Sequence, residues 1–198
     1  MELGLFKGFT KAGILLAVFI FLVACSPKLD WRIVQSPQER YTALFPGKPD
    51  KLGRRIPYQE QELQQTLEAV KIDDDIYSIG SIYLSKQQTE LLASLLEQLK
   101  GNLFRNAGVD QLTVVNLDGV YETANKQRMS TKDYFLVFKS TKTNQQAMRV
   151  RWITKPAVDG GIWVYQVSIL HGGPVEPDIK TFFSAEERAN FFDEFHPN

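Results

Sequence analysis

Residues 62–108 read ELQQTLEAVKIDDDIYSIGSIYLSKQQTELLASLLEQLKGNLFRNAG, and the stretch changes character halfway along. Residues 62–72 and 76–84 read as extended, and Asp73 to Asp75 separate them as a polar hairpin turn. From Ser85 the spacing becomes helical. Ser85 and Gln88 are placed as a capping box, and Leu91, Leu92, Leu95, Leu96, Leu99, Leu103 and Phe104 make one broad apolar stripe that Gly108 ends. A hairpin followed by a helix with one apolar face predicts an α+β domain, with an antiparallel sheet and helices packed on it.

The flanking sequence extends the pattern. Short apolar or aromatic runs at 31–34 and 41–45 stop at Pro37 and at the turn Pro46-Gly47-Lys48-Pro49, and 54–58 is a further extended stretch. Later strands are expected at 111–122, 133–140, 147–154 and 161–170. Tyr134–Phe138 and Ile162–Leu170 are apolar on both alternating faces, as in central strands covered on two sides. A closing helix is expected from Ser184, paired with Glu187 as a second capping box, presenting Phe191, Phe192 and Phe195 and ending at Pro197.

The chain has 198 residues, with 23 basic and 23 acidic side chains, so its formal charge is zero. That balance argues against nucleic acid as the main partner, which needs an excess of cations on one surface. Cys25 is the single cysteine, so no disulfide can form within the chain.

Lys7 and Lys11 precede AGILLAVFIFLVA, residues 12–24. As a helix this run covers about 20 Å, short of the ~30 Å hydrocarbon core of a bilayer. A positive start, a short apolar core and a small closing residue form a secretory signal peptide. Leu22, Val23, Ala24 and Cys25 resemble the bacterial lipobox. The resemblance implies cleavage between Ala24 and Cys25, removal of residues 1–24, and lipidation of the Cys25 thiol. Ser26, where an Asp often retains such proteins on the inner membrane, implies the outer membrane facing the periplasm in an organism with two membranes. At ~0.8 kcal/mol per buried methylene, two or three acyl chains hold a protein firmly on its membrane. Residues 25–30 then form a lipidated end and short tether, and 31–198 a single domain kept close to the headgroups.

Within that domain the Trp-containing strand, the run RYTALFPGKP, the paired long strands, the helix, the later strands and the FFDEF ending resemble the small α+β domains of the PsbP and DcrB-like group. Some of that group are bacterial envelope lipoproteins. The resemblance transfers no functional residue.

Chemistry-bearing residues are few. His196 lies at the chain end, where a surface side chain is expected, and His171 ends a strand beside Gly172, Gly173 and Pro174 with no nucleophile motif nearby. Asp73 to Asp75 lack the ligand spacing of a calcium loop, and Cys and His are too scarce for zinc. The pairs Gly160-Gly161 and Gly172-Gly173 precede no phosphate-binding helix and read as turns. Arg149, Arg151 and Lys155 alternate with apolar residues, so a strand there would present a basic face able to meet headgroups or an acidic partner. No catalytic residue, metal or cofactor is assigned. The expected function is a lipid-anchored module that binds or scaffolds another envelope protein, its tether raising the local concentration. The alternative is a carrier or sensor of a small apolar ligand or lipid held between helix and sheet. A third reading is a hydrolase using His171.

Overall fold

The computed structural model describes residues 29–112, 114–139, 145–175 and 177–198. The signal segment, with Ala24 and Cys25, lies outside the described residues.

From Trp31 to Asn198 the chain builds two antiparallel sheets. Strands β1 (Arg32–Ser36), β2 (Tyr41–Phe45) and β10 (His196–Pro197) form the smaller, in the order β1-β2-β10. The larger comprises β3 (Asp50–Tyr58), β4 (Gln61–Ile72), β5 (Asp75–Leu84), β6 (Val115–Glu122), β7 (Arg128–Phe138), β8 (Gln146–Pro156) and β9 (Ile162–His171). Its order is β3-β4-β5-β9-β8-β7-β6, which puts β9 in the middle. Val164, Tyr165, Val167 and Ile169 of that strand are all buried, as its doubly apolar sequence requires.

A 3-10 turn, Lys86–Leu91, leads into helix α1, Leu92–Ala107. The Ser85 backbone N–H donates to Gln88 Oε1 at 3.1 Å, the Gln88 half of the expected capping box. Gly108 ends α1 with φ of 68°, a left-handed conformation that glycine adopts without the penalty of a Cβ. Leu91 and Leu95 pack on Tyr58, Leu63, Ile82, Leu84 and Val164, and Phe104 and Ala107 pack on Leu136, Val150 and Trp152. The leucine stripe therefore seats the helix on one face of the large sheet.

The opposite face is covered by β2 and by two short helices, α2 (Ile179–Ser184) and α3 (Glu186–Asp193). Phe183, Phe191, Phe192 and Phe195 are fully buried against Tyr77, Phe135, Tyr165, Val167 and Ile169. Phe191 meets Tyr77 at 5.3 Å and Phe45 at 5.1 Å between ring centroids, both edge-on.

The chain end differs from expectation. Ser184 belongs to α2, and α3 is capped at Ala185, so the Ser184–Glu187 capping box does not form. Asp178 starts the pair instead, accepting from the Lys180 backbone N–H at 3.0 Å and the Thr181 hydroxyl at 2.7 Å. Pro197 does not close a helix either. It lies in β10 opposite Tyr41, with His196 opposite Thr42, and the Asn198 N–H donates to the Arg40 carbonyl at 2.8 Å. The terminus is stitched to β2 and does not fray, and His196 Nδ1 lies 2.9 Å from the Glu122 carbonyl.

Candidate functional site

The structure also corrects the expected basic face of β8. Arg149 and Arg151 do not project into solvent; both side chains are more than nine-tenths buried, as is that of Asp133 on β7. Register explains it: Asp133 lies directly opposite Arg151, with Phe135 opposite Arg149. Arg151 grips the carboxylate with two nitrogens, Nε at 2.6 Å and Nη2 at 2.9 Å, while Arg149 Nη2 reaches it at 2.7 Å. One further nitrogen of each guanidinium serves a helix end, while Arg149 Nε is buried without a hydrogen-bond partner. Arg149 Nη1 donates to the Phe183 carbonyl at 3.1 Å and Arg151 Nη1 to the Phe192 carbonyl at 3.0 Å, satisfying groups that the last turns of α2 and α3 leave open. The Arg149 guanidinium also lies 4.0 Å from the centre of the Phe192 ring. Burial pushes the Asp133 carboxyl up, but Arg151 and Arg149 outweigh it and hold the group below the usual carboxylate range. The two arginines clamp the terminal helices to the sheet and are not a headgroup-binding row. Lys155 is separate: half-buried, it lies opposite Trp163.

His171 is equally committed. Its Nδ1 lies 2.6 Å from Asp75 Oδ1 and its Nε2 3.2 Å from the Pro174 carbonyl. Arg188 of α3 holds the second Asp75 oxygen at 3.0 Å and stacks on Phe182 at 3.9 Å. Through Asp75 the Nδ1 side is linked to Arg188 and so to α3, while Nε2 faces the carbonyl of Pro174 in the loop after β9. No hydroxyl side chain hydrogen-bonds the ring among the described residues. Asp73 and Asp74 form the expected turn, whereas Asp75 is a buried member of β5. Among the described residues no group of three or more His, Cys, Asp or Glu is placed to hold a metal. Between α1 and the sheet lie the packed side chains of Leu91, Leu95, Phe104 and Ala107, and a cleft opens beside Lys100 on the side of Tyr134 and Trp152.

What remains open is the end of the sheet at β6. The last helix and β10 reach the strand, with His196 against the Glu122 carbonyl, but no strand covers its outer edge among the described residues, and it has a cleft on each face. One, of about 570 Å³, is walled by Leu117, Tyr121 and Asp193, with the Asp133–Arg149–Arg151 bridge at its floor. The other, of about 500 Å³, is bounded by Lys100, Met129, Tyr134 and Trp152. Gly119 lets the floor approach the strand, since a Cβ there would sit 3.3 Å from both Arg151 Nη2 and Asp133 Oδ2. Val115, Leu117 and Val120 of β6, with Met129 and Val137 of β7, are each 38–43% exposed. Among the described residues no strand pairs with the outer side of β6. The sequence reading placed a strand over 111–122 and did not single it out. The available signal was VNLDGVYE, residues 115–122, which contains no Pro, Lys or Arg.

No family model, curated protein or solved structure matches this chain.

Proposed function

We propose that this chain is a lipid-anchored protein of the bacterial cell envelope, whose domain binds or scaffolds another envelope protein and does no chemistry of its own. The anchor is the lipidated thiol of Cys25, following the apolar run 12–24 and the lipobox-like Leu22-Val23-Ala24-Cys25. Ser26 favours the outer membrane in a two-membrane organism, and the element order resembling PsbP and DcrB-like domains is in keeping with that setting. The observation that carries the binding role is the exposed apolar surface at the β6 end of the sheet, Val115, Leu117, Met129 and Val137 on one face and Val120 on the other. A short tether holds that surface in a thin layer beside the bilayer, where encounters with membrane-associated partners are frequent.

Metabolic labelling with palmitate and fractionation of native membranes test the anchor. The intact chain incorporates label and sediments with membranes, whereas Cys25→Ser does neither. A native product that still begins at Met1 with a free thiol, measured by intact-mass spectrometry, overturns the anchor and the location together.

A further inference from the structure

We infer that β6 is a docking edge that takes up an extended segment of a partner protein as an eighth strand of the large sheet, and that this segment carries lysine or arginine at two alternate positions. The inference deepens the binding-module reading and rests on it.

Three observations specify the occupant. The first is backbone availability. From Val115 to Tyr121 the outer side of β6 has no strand partner among the described residues, a run of about 24 Å at the rise of an antiparallel strand. It closes at Glu122, whose carbonyl faces His196. Strand addition satisfies such a row of N–H and C=O groups with main-chain hydrogen bonds.

The second is the side-chain pattern. Leu117, Gly119 and Tyr121 share the face toward α2 and α3, because they oppose Asp133, Thr131 and Met129. Asp118, Val120 and Glu122 share the face toward α1, opposite Lys132, Ser130 and Arg128. An added strand therefore meets an apolar row with a gap at Gly119 on one face. On the other face it meets acid, valine, acid.

The third is charge. Asp118 already pairs with Lys132 at 2.8 Å across β7, yet its side chain is 90% exposed and open on the other side. A residue of the incoming strand would sit about 5 Å from Asp118 or Glu122, and about 10 Å from Lys132 or Arg128, one strand further away. At that larger separation salt screens most of the interaction between exposed charges. The nearer carboxylates decide, and a cation is favoured. The same arithmetic disfavours a second copy of this chain, since pairing β6 with itself brings Asp118 and Glu122 against Asp118 and Glu122, with Lys132 and Arg128 each one strand further back. The fitting segment is apolar on one face, with a large side chain beside Gly119, and reads cation, apolar, cation on the other.

The probe is a fluorescein-labelled heptapeptide with leucine, phenylalanine, leucine and threonine alternating with lysine, valine and lysine, added to the full-length chain in detergent. Fluorescence polarisation should show saturable binding. It should weaken about tenfold when the lysines become glutamates, and vanish when alternate amides on the pairing side are N-methylated. Asp118→Lys should reverse the preference between the lysine and glutamate peptides, and Val120→Lys should abolish binding with unchanged circular dichroism. Equal binding of the N-methylated peptide, no preference for lysine, or no binding at all overturns the inference. A dimer in sedimentation that Val120→Lys dissolves overturns it in favour of self-association. Photocrosslinkers at Val120 and at Leu52 in intact cells separate the inference from its premise. A product from Val120 that the lysine peptide competes away supports strand addition. Capture from Leu52 alone overturns the β6 assignment and leaves the binding module standing, and capture from neither position overturns both.

Discussion

The large sheet ends in two strands of similar length, nine residues in β3 and eight in β6, and the two edges are dressed in opposite ways. β3 reads DKLGRRIPY. Arg54 bonds Gln65 at 2.7 Å and Arg55 lies 3.4 Å from Glu62, both on the exposed surface, and Pro57 lacks an amide N–H with which to bond another chain. Charges and proline on an edge are the ordinary means of keeping strands of other molecules away. β6 has no base and no proline, and exposes valine and leucine above and below its backbone. Leu52 on β3 is more exposed than any of these, at 61%, but it sits among the guards. Exposed apolar area alone therefore does not separate the two edges. What distinguishes β6 is apolar exposure together with an unguarded backbone and open space on both faces.

The comparison can be broken most forcefully at Asp133. Asp133→Asn leaves two buried guanidinium groups without their carboxylate, and should cost about 3–5 kcal/mol in urea unfolding. Hydrogen exchange should then accelerate in β6 and β7 well before β3 and β4, and uniform acceleration would show that the bridge does not specifically support the docking edge. Leu95→Ala is a control in the other layer. It should cost about 3 kcal/mol by opening a cavity under α1 while leaving the order in which the two edges exchange unchanged.

Acid provides a milder separation. A carboxyl held low in the folded state contributes stability above its unfolded pKa of about 3.9, and that contribution is lost as the pH falls through the lower folded value. Protection of β6 and β7 should therefore drop below about pH 4 ahead of β3 and β4, as read by exchange at stepped pH. The smallest effect on stability is expected from removing the guards. Arg54→Val with Arg55→Val should change unfolding by no more than about 0.5 kcal/mol, yet produce concentration-dependent association in sedimentation velocity. A variant that stays monomeric at high concentration would show that these arginines do not protect β3.

Much of the scaffold was legible because it depends on local pattern. β2 was placed at its observed residues, β4 and β5 to within one residue, and the stripe from Leu91 to Phe104 named the buried side of α1. The burial of Arg149 and Arg151 was not legible. Alternation along β8 describes a half-solvated strand equally well, and only the register with Asp133 and the arrival of Phe183 and Phe192 turn a basic face inward. The helix boundary at Ala185 was missed for a related reason. Ser184 and Glu187 have capping-box spacing, but the preceding helix, begun by Asp178, already claims the serine. The contrast between edges sits between these cases: its composition is visible in residues 50–58 and 115–122, but which strands stand at the margins is a property of the topology.

Phe191, Phe192, Phe195 and the β10 residues His196 and Pro197 fill or fasten the core. Their partners Tyr41, Thr42 and Phe45 stand near the other end of the domain, so the core is sealed by contacts of long sequence separation, the kind that carry the largest loop-closure cost and form slowly.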